Sequence, residues 1–189
     1  MEDSQIDGYI NELRDMISKV ERDKIQELVR RIKETRIKDN TIFIIGNGGS
    51  ASTASHWACD LGKGTLKTRY NSNKRLKVIS LTDNVATITA YANDLTYDEI
   101  FSQQLKNLVK EGDLLIVLTG SGKSKNIINA IEVAKRAKAY VFSLLGFDGG
   151  KVKHISDNSI IIPSKNYCVI EDIHLSIGHI ITSIIKGEK

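Results

Sequence analysis

Hydrophobic positions along the chain follow two different periods. Across residues 4–38 they fall at Ile6, Ile10, Leu13, Ile17 and Val20, then at Ile25, Leu28, Val29 and Ile32. Steps of three and four residues put such positions on one stripe of a helix. Two amphipathic helices are therefore expected, broken near residues 21–23. Their apolar stripes suit packing on a sheet of the same chain and suit a subunit interface equally well.

After residue 40 the pattern alternates. Short apolar, β-rich runs at 41–45, 76–81, 114–119, 140–145 and 159–163 are separated by helical patterns at 50–61, 84–92, 97–109 and 124–137, and a last one follows at 166–185. Strands alternating with helices predict an α/β fold with a parallel sheet covered on both faces. The expectation is a three-layer αβα sandwich around a five-stranded, parallel, doubly wound sheet, preceded by an N-terminal helical arm. Pro163 stops the last strand, because proline cannot donate to a sheet ladder. Residues 67–74 read as an exposed loop and 146–150 as a turn. With no repeat and no low-complexity segment, 1–189 reads as a single domain, with helices at 1–38 and the αβα core at 39–189.

The first run ends in Gly46-Asn47-Gly48-Gly49-Ser50-Ala51 and leads into a helical segment. A strand, a glycine turn and a helix start leave free backbone N–H groups that bind a phosphate. The same residues match a dinucleotide fingerprint nominally. That fingerprint needs an acid about 20 residues on, at the end of the second strand, to hold a ribose hydroxyl. Here the second run ends near Leu81, and Asp83 lies more than 30 residues beyond Gly48.

A second polar turn, Thr119-Gly120-Ser121-Gly122-Lys123-Ser124, follows the third run. It ends like a P-loop, but the first glycine of that motif would fall at Val117, inside the strand. What remains is a cluster of hydroxyls at a helix start, better suited to a phosphate monoester than to a dinucleotide. Capping of the helix explains one of these serines but not the group. Both turns lie at the C-terminal ends of parallel strands, where open α/β sheets bind ligands.

His56 and Asp60 share a helix face by their spacing of four residues. That pair is either half of a metal site or a surface pair. The last helical segment adds Glu171, His174 and His179 among Ile173, Ile177, Ile180 and Ile184. Glu171 and His179 stand about 12 Å apart along a helix axis, so long side chains converging on one ion would have to lean toward each other. His154, in a short turn-like stretch, reads as surface.

Composition narrows the class. The chain is 41% hydrophobic and 26% charged, as ordinary globular domains are. No run of 18 uncharged apolar residues occurs, and the opening MEDSQIDGYI is too acidic and polar for a signal peptide, so no membrane association is expected. Cys59 and Cys168 have no CxxC spacing, which fits a reducing cytoplasm. The 27 basic and 23 acidic side chains leave a net charge of +4. Lysines such as Lys106, Lys110, Lys135 and Lys138 are scattered among acids with no basic, aromatic-interleaved block, so no nucleic-acid partner is expected.

Together the run GNGGSASTASHWACDL, Asn93-Asp94, the turn TGSGKS and the terminal EDIHLSIGH resemble the sugar isomerase (SIS) domain family, and within it the phosphoheptose isomerases, over essentially the whole chain. The resemblance implies a cytoplasmic homotetramer with active sites at subunit interfaces and one zinc ion per subunit. It implies an aldose–ketose isomerase that turns sedoheptulose 7-phosphate into D-glycero-D-manno-heptose 7-phosphate through an enediol(ate), for heptose and surface polysaccharide synthesis. The implied phosphosugar pocket comprises Asn47, Gly48, Gly49, Ser50, Asn93, Asp94, Thr119, Gly120, Ser121 and Ser124, with Asp60 and Glu171 also touching substrate. The implied metal ligands are His56, Asp60, Glu171 and His179, with Asp60 as catalytic base and His179 as acid.

Two positions depart from the family pattern. Asp60 stands where the family has its catalytic glutamate, and Glu171 where it has a glutamine. Aspartate ends one methylene earlier, so its carboxylate would sit about 1 Å back, enough to cost on the order of 10²-fold in rate if nothing compensates. A glutamate at 171 adds a negative charge that favours a cation and opposes an anionic substrate. Two alternatives accompany this reading: an isomerase of another sugar phosphate, and a non-catalytic SIS protein that binds a phosphosugar or a partner protein such as a replication initiator. Proteins of the second kind typically lack the metal and acid–base residues retained here.

Overall fold

The computed structural model describes residues 2–66 and 74–187. Five strands, β1 (Thr41–Gly46), β2 (Lys77–Ser80), β3 (Leu114–Thr119), β4 (Tyr140–Gly146) and β5 (Asn158–Ile162), form one parallel sheet in the order β2-β1-β3-β4-β5. The chain starts at β1 and winds outward first to one edge and then to the other. The order therefore reverses between β1 and β3, and the C-terminal ends of these two strands are the switch point at which ligands bind in such sheets.

The strand sequences follow from burial on both faces. Every residue of β3 is buried, and its side chains alternate between two cores. Ile42, Ile44, Leu114, Ile116 and Leu118 face one core with α2 (Arg22–Ile37), α3 (Gly49–Cys59) and α8 (Tyr167–Gly187). Phe43, Ile45, Leu115 and Val117 face the other, closed by α5 (Ser102–Leu108), α6 (Lys125–Arg136) and α7 (Val152–Ile155), with α4 (Val85–Asp94) partly packed against it. Continuous apolar runs are what a sheet covered on both sides demands. Each fully buried aliphatic side chain contributes about 1.5–3 kcal/mol against leaving it in water.

The helix break near residues 21–23 is present: α1 (Glu2–Ser18) ends and α2 begins at Arg22. Helix α1 has no buried residue and lies on α8, with Tyr9, Leu13 and Met16 partly packed against the core. The loop expected at 67–74 falls, up to residue 73, outside the described residues. The single helix expected at 97–109 is instead a 3₁₀ turn, Tyr97–Glu99, followed by the shorter α5. Consecutive Ile100 and Phe101 are both buried at that joint. The Glu99 carboxylate accepts hydrogen bonds from the Ser102 hydroxyl at 2.6 Å and the Gln103 side-chain amide at 2.9 Å, tying the 3₁₀ turn to the first turn of α5. His154, on α7, is exposed as expected.

Candidate active site

The turn after β1 is shaped by glycine. Gly48 has φ +57, a conformation that side chains with a Cβ rarely adopt, and caps the start of α3. Its carbonyl accepts from the Ala51 N–H, which tightens the first turn and leaves the preceding amides as orphan donors. The Ser50 N–H meets the carboxylate of Glu171, carried by the first turns of α8. That carboxylate lies so near that a Cβ on Gly49 would collide with it. Burial pushes the Glu171 carboxyl above the ordinary glutamate range and neighbouring Asp172 adds to this, against the lowering effect of the Ser50 N–H.

The second turn faces the first across the sheet's switch point. Asn47, Ser50, Thr119, Ser121, Ser124 and Glu171 line a shared cavity of about 160 Å³, with Gly120 and Tyr167 at its wall. Ser124 occupies the N-cap position of α6 but makes no side-chain capping bond, so its hydroxyl is not used up by the helix. Tyr167 packs directly on Gly120, where a Cβ would lie 2.8 Å from its ring. A larger cleft of about 330 Å³ at the opposite end of the sheet is lined by charges that pair among themselves, Lys135 with Asp157 and Arg31 with Glu34. Its two hydroxyls, on Thr35 and Tyr140, donate to the Arg31 carbonyl and the Glu27 carboxylate.

Further along α3, three side chains converge. The Nε2 atoms of His56 and His179 are 3.2 Å apart, and Asp60 Oδ2 lies 3.3 Å from the first and 3.6 Å from the second. The imidazoles meet edge to face with centroids 5.1 Å apart. A tetrahedral ion with bonds of 2.0–2.1 Å needs ligand atoms roughly 3.4 Å apart, so this triangle has the size of one face of such a site. The fourth corner opens to solvent, with half of the His56 and His179 side chains exposed. Among the described residues this is the one group of three or more His, Cys, Asp or Glu side chains close enough to share an ion. The spacing of His56 and Asp60 admitted a plain surface pair; His179, arriving from α8, makes it a potential metal site.

Helices α3 and α8 run side by side in the same direction, and this places the two halves of the site. Glu171 meets Gly49 and Ser50, Gly178 lies against Trp57, His179 meets His56, and Thr182 lies by Gly64. The Trp57 indole N–H donates to the His174 carbonyl at 3.2 Å in the buried interior. By helix rise, roughly 9 Å separates Ser50 from His56, a distance that a sugar of several carbons spans. Asp60 opens a π-helical turn, Asp60–Gly64, a wide geometry that is rare overall and frequent at functional sites.

Two expected groupings do not form within this chain. Glu171 does not join His56, Asp60 and His179 within this chain; two turns earlier on α8, its carboxylate sits over the start of α3 instead. Asn93 and Asp94 do not line the cavity: they lie exposed at the end of α4, hydrogen-bonded to each other at 2.9 Å. His174 is a fully buried core residue whose Nε2 lies 3.4 Å from the Leu145 carbonyl. Sequence reasoning missed Tyr167, Asn126 and Tyr97. Asn126, a buried amide on the apolar face of α6, was visible as a polar residue beside Ile127 and Ile128; nothing local marked Tyr97.

Comparison with known proteins agrees with this geometry. The model of the SIS domain matches residues 8–146. A probable phosphoheptose isomerase of Thermoplasma acidophilum is 35% identical over 163 residues, covering 86% of this chain and 87% of that protein. The phosphoheptose isomerase of Leptospira biflexa is 44% identical over 153 residues, 79% of this chain and 76% of that one. The solved structure of phosphoheptose isomerase from Neisseria gonorrhoeae superposes with a TM-score of 0.87 at 26% identity, over 98% of this chain and 96% of that one. The chain belongs to the SIS domain family, to its phosphoheptose isomerases, and is an isomerase.

Proposed function

We propose that the protein interconverts sedoheptulose 7-phosphate and D-glycero-D-manno-heptose 7-phosphate, with the phosphate in the hydroxyl-lined cavity and the reacting carbons beside His56, Asp60 and His179. The observation that carries this reading is the placement of an acid–base and ligand triad about 9 Å along α3 from a phosphate-binding turn. Hydroxyls of Ser50, Thr119, Ser121 and Ser124 receive the phosphate, beside the Ser50 amide that the Glu171 carboxylate meets. Asn47 and the backbone of Gly48, Gly49 and Gly120 complete the cradle.

Isomerisation moves a proton from the carbon next to a carbonyl to its neighbour. Asp60 takes that proton, producing an enediol(ate), and His179 moves a proton between the oxygens. The residues fit a zinc ion held by His56, Asp60 and His179, which would supply Lewis-acid polarisation of the substrate carbonyl when bound. We further read the protein as a cytoplasmic homotetramer of single-domain subunits with the sites at subunit interfaces, where Asn93 and Asp94 of a neighbouring subunit would close the pocket. The exposure of Ile6, Ile10 and Ile17 on α1, and of Ile180 and Ile184 beside His179, supports such assembly. Metal analysis of the purified protein, joined to turnover of Asp60→Asn and His179→Ala, tests the assignment. About one zinc per chain and losses of 10² or more in kcat are expected; unaffected turnover in either variant refutes it.

A further inference from the structure

Asn47 sits in a hydrogen-bond pattern that determines which way its amide points. Its Oδ1 accepts from Asn126 Nδ2 at 2.9 Å, and its Nδ2 donates to Asn126 Oδ1 at 3.0 Å, a reciprocal amide pair. The Tyr97 hydroxyl also reaches Asn47 Oδ1, at 3.1 Å. An amide pair alone reads equally well with both groups turned over. The tie is broken by the backbone, since the Ile127 N–H, which only donates, lies 2.9 Å from Asn126 Oδ1. That contact makes Oδ1 of Asn126 the acceptor, so Asn47 must donate to it and accept from Nδ2. Tyr97 is then the donor in its own bond. One N–H of Asn47 is left over, on a side chain that lines the cavity.

Each partner is itself held. Asn126 is 2% exposed, in the first turn of α6. Tyr97 is half exposed, but its 3₁₀ turn is tied to α6 by Asn129, whose Nδ2 donates to the Asp98 carbonyl at 3.0 Å. Three separate parts of the chain therefore meet at Asn47: the β1–α3 turn, the start of α6, and the crossover between β2 and β3.

We propose that Asn126 and Tyr97 are positioning residues for the phosphosugar turn, locking Asn47 in the one amide orientation that offers an N–H to the anionic substrate. The inference rests on the reading that this cavity receives a phosphosugar. In the opposite orientation Asn47 would present a carbonyl oxygen to the phosphate, an acceptor facing an acceptor.

Two variants separate positioning from mere structure. Tyr97→Phe removes one hydroxyl from an exposed ring. Asn126→Asp keeps the shape and the bond from Ile127 but sets a carboxylate oxygen against Asn47 Oδ1, so the pair no longer distinguishes the two amide orientations. KM for sedoheptulose 7-phosphate and the Kd for inorganic phosphate are measured with thermal midpoints, in the wild-type and Asn47→Ala backgrounds. Tyr97→Phe should raise KM about three- to tenfold, the scale of one neutral hydrogen bond, with kcat within about twofold and the midpoint unchanged. Asn126→Asp should raise it further, and neither change should add to Asn47→Ala, because the three residues act through one group. Equal KM in all variants, or effects that add fully to Asn47→Ala, would overturn the proposal. If the wild type binds phosphate without isomerising the sugar, the substrate assignment fails while Kd still decides the positioning role. If it binds neither phosphate nor sugar phosphate, both are overturned.

Discussion

Asp60 reaches two imidazoles with a side chain that ends one methylene short of glutamate. Its Oδ2 lies 3.3 and 3.6 Å from their Nε2 atoms, so the shorter acid closes the triangle without loss of contact. His179 comes in from α8 to meet both His56 and Asp60. Asp60→Glu should accordingly lower kcat no more than about tenfold, whereas Asp60→Asn should abolish measurable turnover, read by a coupled assay or by product NMR. Glu171 tells the opposite story. The added charge was legible in the sequence, but its place was not, since eight residues along a helix say nothing about what packs against each end. Its carboxylate occupies the start of α3, where an anion would otherwise bind. With its pKa raised by burial, Glu171 is ionised above the shifted value and neutral below it. KM for a phosphosugar should therefore fall as pH drops through that range, and Glu171→Gln should lower KM at neutral pH and flatten this dependence. Equal KM profiles for the two proteins would count against a repulsive role.

At the scale of elements, the site depends on the register of α3 against α8. Gly178 fits beneath Trp57, and a Cβ there would collide with the indole. Gly178→Ala adds helix propensity worth about 1 kcal/mol, but overpacking of a filled core costs typically 1–3 kcal/mol. A net loss of stability, with the His56–His179 contact displaced, is expected in thermal melts and in metal affinity. His174, in the same helix pair, carries a second consequence. Complete burial depresses its pKa from 6.5 to about 4, and its Nδ1 has no hydrogen-bond partner. The unfolded chain thus binds a proton that the folded one refuses. Stability is full above about pH 6.5 and falls as pH drops toward 4, by up to about 3 kcal/mol. His174→Leu should show a smaller decline in melting midpoint between pH 7.5 and 5 than the wild type. Identical declines would assign acid sensitivity elsewhere.

The strands were readable because a parallel sheet buried on both faces requires unbroken apolar runs, as in Leu114–Thr119. The joint between Tyr97–Glu99 and α5 was not, because an unbroken helical pattern does not reveal that Ile100 and Phe101 must both turn inward.

In the whole molecule, half-open His56 and His179 side chains go with an N-terminal helix that has no buried residue. Polar contacts hold α1 against the rim of the site, with Tyr9 donating to Asp172 and Ser164 donating to Glu12, both at 2.6 Å. Its outer isoleucines are exposed and available to the subunit interface proposed above. Light scattering should report a tetramer, and Ile6→Glu with Ile10→Glu should lower the assembly state and the activity together. A fully active monomer would exclude interface sites. The two glycine-bearing turns and the His56, Asp60 and His179 side chains were each recognisable in the sequence as separate fragments. Their assembly into one site depends on two helices placed alongside each other by a switch-point sheet. The most direct test is to incubate the purified protein with sedoheptulose 7-phosphate in deuterated water and follow it by NMR, with chelator and after zinc is restored. We expect D-glycero-D-manno-heptose 7-phosphate carrying deuterium at carbon 2, arrest by the chelator, and recovery with zinc. Unchanged sedoheptulose 7-phosphate in the presence of zinc-loaded protein would contradict the account.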